Sequence, residues 1–319
     1  MGLFSMVLQI LNTLSLLETQ QIDRIPVVIM GRGITYFHEE GHEGRRTAWE
    51  YYFEPLMADV SENHVLAVLG EQALELLASK RKHLEHARGA IEFPQHLQLL
   101  TPLTTCDRLN LVELNNLVRS YDWAWTESFN PTVDGKSHAG SGDAVNNYSS
   151  LVQRYIRPRE CIQKKVCKLF DSRLRGFHVI GVHVRGTDGH NAPARGIEIP
   201  FDRYFGEIER RLAMVGREAC RILLATDEQY VVSRFEERFG DFLVYYDAVR
   251  NIDGEQVFGA GPTGQVMPAY ITKGGTTAVQ NGEDAVVEYA LLCKSDLLIH
   301  NLSSLSLTAR LSVPAFIQI

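Results

Sequence analysis

Val179-Ile180-Gly181-Val182-His183-Val184-Arg185-Gly186-Thr187-Asp188 is an apolar run that ends in a basic residue, a glycine and an acid. A continuous apolar stretch of this length reads as a strand buried on both faces, the texture of a parallel sheet. Successive side chains of a strand point to opposite faces, so His183 and Arg185 share one face and reach the C-terminal end together. Parallel α/β sheets take their ligands just beyond that edge. An arginine there can fork two hydrogen bonds onto a phosphate, and Asp188 can fix either the loop or the arginine itself. A surface arginine that merely closes a strand meets the same spacing.

Downstream the pattern predicts a helix over 201–215, a strand at 221–225, a helix over 228–239 and a strand at 242–245. A glycine-rich stretch from 251 to 282 follows, then a helix over 283–294, a strand at 296–300, a helix over 303–311 and a strand at 314–318. Such alternation implies a parallel sheet covered on both faces. Upstream, a helix is expected from Leu3 to Glu18 and a strand at Ile25–Met30 that runs into Gly31 and Gly33. Then come a polar loop to Arg46, an aromatic cluster (Trp49-Glu50-Tyr51-Tyr52-Phe53-Glu54-Pro55) and helices over 70–88, 109–120 and 143–156. Pro158 interrupts two helical patterns, which divides the chain into domains 1–156 and 157–319.

With 319 residues, 45% of them apolar, the chain is long enough for two domains, and disorder or fibrous structure is excluded. A net charge of -7 and a pI near 5.9 argue against coating nucleic acid or an anionic membrane, while leaving room for one anion-binding pocket. The five scattered cysteines fit inert, buried thiols in a reducing compartment. The apolar N-terminus lacks a basic flank and a cleavage site, and Gln9, Asn12 and Thr13 interrupt it. It therefore reads as a buried first helix with no membrane span, in a cytoplasmic protein, a membrane-peripheral location being the alternative.

A second feature favours an anion. Asp296-Leu297-Leu298-Ile299-His300 is followed by Asn301-Leu302-Ser303-Ser304 and a helical pattern. Serines at a helix start cap backbone N–H groups, and those groups form a cradle for phosphate. Plain capping without a ligand is the rival reading.

Arg154-Tyr155-Ile156-Arg157-Pro158, the Gly181–Asp188 stretch, Leu224-Ala225-Thr226-Asp227-Glu228 and Ser295–Ile299 with Ser303-Ser304 together resemble the donor half of the GDP-fucose-dependent fucosyltransferases. The likeness is to the core α1,6-fucosyltransferases and the rhizobial nodulation fucosyltransferases, and covers about half the chain, from 154 onward. Fainter similarity extends to Gly2-Leu3-Phe4 and to the aromatic cluster at 49–55. The resemblance implies an α/β GT-B architecture, two Rossmann-like domains facing a cleft, with the donor on the C-terminal one. Carried over by position, Arg185 holds the β-phosphate beside Ser303 and Ser304, His183 contacts guanine, Asp188 and Asp227 shape the donor pocket, and Glu288 stands where the relatives have a guanine-reading aspartate. Gly186 replaces a second arginine, which leaves a different GDP-sugar open.

The implied reaction is inverting transfer of fucose from GDP-fucose to a glycan acceptor, with no metal or other cofactor and no nucleic-acid partner. A guanidinium and oriented N–H groups would stabilise the departing diphosphate. A carboxylate should take the acceptor proton. Glu198 is the first candidate, followed by His190 and Glu40.

Three motifs compete. His38-Glu39-Glu40-Gly41-His42 matches a zinc metallohydrolase motif, but glycines surround it and each costs ~1 kcal/mol in a helix. Contact with an acceptor sugar is the other functional reading of that loop. Gly259-Ala260-Gly261-Pro262-Thr263-Gly264 has dinucleotide-binding spacing without the strand and helix it needs. Tyr121, Trp123 and Trp125 are read as core rather than as a sugar platform. A non-catalytic nucleotide- or glycan-binding relative is the remaining alternative.

Overall fold

The computed structural model describes residues 3–19, 26–30, 36–38, 40–45, 47–56, 65–69, 142–185, 199–250, 278–301 and 303–319. The helices expected at 70–88 and 109–120, the aromatics at 121–125 and the Gly259–Gly264 motif lie outside these residues. Two compact units divide the chain, Met1–Arg159 and Glu160–Ile319.

The first unit contains α1 (Leu3–Thr19), β1 (Pro26–Met30), α2 (Trp49–Tyr52), β2 (Val65–Leu69) and α3 (Gly142–Tyr155). Leu3, Phe4, Met6, Val7, Ile10, Leu11 and Leu14 of α1 are buried, so its apolar character serves the core. Among the described residues no helix is long and apolar enough to cross a membrane. β1 and β2 pair in parallel from Pro26↔Val65 to Met30↔Leu69. The aromatic cluster is structural: Trp49, Tyr51, Tyr52 and Phe53 are all buried, and Tyr52 donates its hydroxyl to the Tyr36 carbonyl at 3.2 Å. Phe53 bridges Pro158, and Glu54 N–H donates to the Arg157 carbonyl at 2.8 Å.

The second unit runs α4 (Glu160–Arg173), β3 (His178–Val184), α5 (Phe201–Val215), β4 (Cys220–Thr226), α6 (Gln229–Phe239), β5 (Leu243–Tyr245), α7 (Ala278–Leu292), β6 (Leu297–His300), α8 (Ser304–Arg310) and β7 (Phe316–Gln318). Its five strands form one sheet in the order β5-β4-β3-β6-β7, every pairing parallel. The chain therefore starts in the middle, at β3, builds outward through β4 and β5, and returns to build the other half from β6. This is a doubly wound α/β sheet whose switch point lies between β3 and β6.

One face carries Ile180, Val182, Val184, Ile222, Leu224, Leu297 and Ile299, packed on Tyr204, Ile208 and Leu212 of α5 and on Val231, Val232, Phe235 and Phe239 of α6. The alternate residues of β3, Val179, Gly181 and His183, face the other way. There the α7–β6 connection comes so close that a Cβ on Gly181 would meet Ser295 Oγ and sit 3.2 Å from Leu292 Cδ2. Of the described cysteines, Cys161 and Cys167 are exposed, Cys220 is buried and Cys293 intermediate. The expectation of buried thiols thus fails on α4, whose buried residues are only Ile162 and Val166.

Candidate functional site

Three strand ends meet at the switch point. His183 is in register with Ala225 of β4 on one side and with His300 of β6 on the other. Arg185 is the first residue beyond β3, and its guanidinium pairs with Asp227 Oδ2 at 3.1 Å, just past the end of β4. The arginine side chain is still 35% exposed, so it is oriented by the acid without being sealed in.

His183 is buried, and its carbonyl accepts the Tyr204 hydroxyl at 3.3 Å. Burial pushes its pKa down to about 3; Asp227 opposes this, and Arg185 and His300 add to it. The imidazole is therefore neutral at physiological pH. Its Nε2 lies 3.5 Å from Ser303 Oγ, while Nδ1 has no hydrogen-bond partner among the described residues. His300 is neutral for the same reason, burial lowering its pKa to about 4, and its Nδ1 faces the Asn301 carbonyl at 3.1 Å. A carbonyl can only accept, so that contact fixes the proton on Nδ1.

Ser303 caps α8. Its Oγ accepts the Ser306 N–H at 3.1 Å, and its own N–H donates to Ser306 Oγ at 3.2 Å, a reciprocal box that sets the helix start at Ser304. Asn301, buried just before it, accepts the Arg185 N–H at 2.9 Å through Oδ1 and donates from Nδ2 to the Arg185 carbonyl at 3.0 Å.

Glu288 of α7 lies beneath this edge, its side chain only 11% exposed. It accepts a hydrogen bond from the Thr226 backbone, at the end of β4, and pairs with Arg250 at 3.3 Å. Burial raises its pKa to about 8 although Arg250 pulls the other way. Arg250 donates to the carbonyls of Tyr246 at 2.6 Å and Ala248 at 3.0 Å, and Asp284, one turn before Glu288, accepts the Val249 N–H at 3.1 Å. The two acids thus tie the segment after β5 to α7.

Of the residues singled out in the sequence, Arg185, His183, Asp227, Glu288, Ser303 and Ser304 all lie at or just under the C-terminal edge of one sheet. Asp188, His190 and Glu198 lie outside the described residues. Glu40 belongs to the first unit, exposed in the turn discussed next. Asn301, Tyr204 and Arg250 were not singled out. Asn301 had one visible signal, an amide flush with the end of an apolar strand. Arg250 and Tyr204 had none, since their partners lie 38 and 21 residues away.

The described residues of the His38–His42 segment do not form the helix a metallohydrolase motif requires. Gly41 N–H donates to the His38 carbonyl at 2.9 Å, and His42 and Arg45 exchange two backbone hydrogen bonds at 3.0 and 2.9 Å. Gly41, Glu43 and Gly44 all have positive φ, so the chain turns tightly instead of coiling. His42 packs edge-on against the Tyr51 ring, and Glu43 is held by Arg159 at 2.7 Å. Among the described residues no group of three or more His, Cys, Asp or Glu is arranged to hold a metal ion.

No protein-family model matches the chain. Nodulation protein Z of Sinorhizobium fredii is 26% identical over 170 residues, which are 51% of this chain and 48% of that protein. The matched region therefore spans about half the length of that relative. The crystal structure of fucosyltransferase NodZ from Bradyrhizobium, in its selenomethionine form, superposes with a TM-score of 0.52 at 16% identity, over 100% of this chain and 91% of that one. NodZ α1,6-fucosyltransferase soaked with GDP-fucose gives 0.51 at 18%, over 98% and 90%. At these identities the likeness is one of fold: the chain shares the α/β fold of these fucosyltransferases.

Proposed function

We propose that the chain is a glycosyltransferase of GT-B architecture that transfers fucose from GDP-fucose to a glycan acceptor, with inversion and without a metal. The observation that carries this is Arg185 at the switch point of a doubly wound sheet, its guanidinium braced by Asp227 beside the capped start of α8. The sequence similarity to nodulation protein Z and the fold similarity to fucosyltransferases, one of them soaked with GDP-fucose, support GDP-fucose as the donor.

In this scheme the Glu160–Ile319 unit holds the nucleotide. As the glycosidic bond to the diphosphate breaks, negative charge grows on the β-phosphate oxygens, and a fixed guanidinium stabilises that charge more than it stabilises the ground state. Asp227 keeps the fork aimed. Neutral His183 offers a ring nitrogen with no partner among the described residues, which a group on the nucleotide would satisfy. Deprotonation of the acceptor hydroxyl is assigned to Glu198, with His190 and Glu40 the next candidates, Asp188 is assigned to the donor pocket, and the acceptor to the Met1–Arg159 unit. The exposed free thiols of Cys161 and Cys167 fit a cytoplasmic location.

Calorimetric titration with GDP, UDP and CMP tests the reading. GDP should bind best, Arg185→Ala should weaken it about a hundredfold, as expected when one member of a charge-assisted contact is truncated, and transfer should be unchanged in excess chelator. Equal affinity for the three nucleotides, or none, removes the donor assignment; loss of activity on chelation removes metal independence.

A further inference from the structure

The parallel ladder between β3 and β6 ends at His183↔His300, two residues short of Arg185. Beyond that point β6 cannot go on pairing, because the chain turns into the cap of α8 at Ser303. The backbone of Arg185 would be left without a ladder partner, yet both its polar groups are satisfied by one side chain. Asn301 accepts the Arg185 N–H at 2.9 Å and donates to the Arg185 carbonyl at 3.0 Å. A primary amide presents one acceptor and one donor in the same plane, which is what a peptide group of a neighbouring strand presents. The Asn301 side chain thus stands in for one further peptide of β6.

We propose that Asn301 is a positioning residue for Arg185, setting the direction in which its guanidinium leaves the sheet. The proposal rests on the reading of Arg185 as the diphosphate-binding group and adds how it is held. Asn301 is well placed to act as a fixed point. It is buried, its own N–H reaches the His183 carbonyl at 3.4 Å, and its carbonyl accepts the Ser306 hydroxyl at 2.8 Å and faces His300 Nδ1 at 3.1 Å. One residue therefore joins the end of β3, the end of β6 and the cap of α8. Arg185 is then located twice, by Asn301 just past β6 through its backbone and by Asp227 just past β4 through its guanidinium. The commitment of Nδ2 to Arg185 also explains why Asn301-Leu302-Ser303, which has the spacing of a glycosylation sequon, does not present an accessible amide.

The test is a double-mutant cycle read by GDP calorimetry. Asn301→Ala should weaken GDP binding about tenfold in the wild-type background, the scale of two lost hydrogen bonds, and have no further effect when added to Arg185→Ala. Asn301→Ser, which keeps one hydrogen-bonding group, should fall between and serves if the alanine variant does not fold. An equal loss in both backgrounds, or none in either, overturns the proposal. Amide hydrogen exchange at Arg185 gives a ligand-free readout: protection should collapse in Asn301→Ala, and unchanged protection also overturns it. If the wild-type protein does not bind GDP, the donor assignment fails and the proposal with it; if it binds and only Arg185→Ala weakens it, the proposal alone fails.

Discussion

At His183 and His300 burial outweighs every charge nearby, and at Glu288 it outweighs an arginine 3.3 Å away. The consequences for stability have opposite signs. An exposed histidine titrates near 6.5, whereas these two hold out to about 3 and about 4 when folded. Below pH ~6.5 the unfolded chain binds protons that the folded chain refuses, so their contribution is complete above that pH and lost on acidification. Glu288 is raised from 4.5 to about 8, so here the folded chain binds the extra proton. Its contribution is complete below pH 4.5 and declines as pH rises to 8. Between pH 6.5 and 8 only the glutamate arm is active, and urea-unfolding midpoints should fall across that interval. Glu288→Gln, which mimics the protonated acid, should abolish this decline while leaving the acid arm intact. A variant that keeps the slope would mean that Glu288 is ionised against Arg250 in the folded protein. The pairing itself joins residues 38 apart, so nothing in local sequence pattern announced it. Arg185 was visible as a strand-end residue and Asp227 through the family resemblance, but their ion pair became apparent only once β3 and β4 were seen to be neighbours.

At the level of elements, legibility followed burial. β3, β4 and β6 are apolar runs with short polar borders, and the structure places each within about one residue of expectation, as it does α5, whose stripe of Tyr204, Ile208 and Leu212 is regular. α4 was legible only as a helical pattern of no stated extent after Pro158, since only Ile162 and Val166 of its fourteen residues are buried and a polar helix leaves little periodic trace. β2 was passed over although Val65–Leu69 is as apolar as β1. α7 was expected over 283–294 and spans Ala278–Leu292; Gly282 hid its beginning, and its end falls earlier because Ser295 must meet β3. That contact makes Gly181 a packing requirement. Alanine there would press its Cβ to 2.9 Å from the Ser295 Cβ and 3.2 Å from Leu292, closer than side chains tolerate without displacement. Overpacking of this kind costs about 1–3 kcal/mol. Gly181→Ala should lower stability by that amount, and Ser295→Gly added to it should restore most of the loss, because the Ser295 hydroxyl has no hydrogen-bond partner among the described residues to forfeit. Chemical denaturation of the two variants decides the matter, and an unrescued double mutant would point to strain in β3 itself.

For the whole molecule, the division at Arg159/Glu160 gives each half its own buried core, built on α1, β1 and the Trp49–Phe53 cluster in one and on the five-stranded sheet in the other. Every residue assigned to the nucleotide, from His183 to Ser304, belongs to the second unit. A ligand that binds only the folded state stabilises by RT ln(1 + [L]/Kd), about 2.7 kcal/mol at a hundred times Kd. That increment reaches an amide only if the opening that exposes the amide also destroys the site. Units with separate cores open separately unless a large apolar interface couples them. Saturation with GDP should therefore slow the slowest-exchanging amides of β3, β4 and β6 about a hundredfold, and leave those of α1 and β1 unchanged. Slowing of equal size in α1 would show that the two units unfold as one body. No slowing in β3 would remove the nucleotide from the switch point altogether, since no global opening of that sheet can leave Arg185, Asp227 and Ser303 assembled.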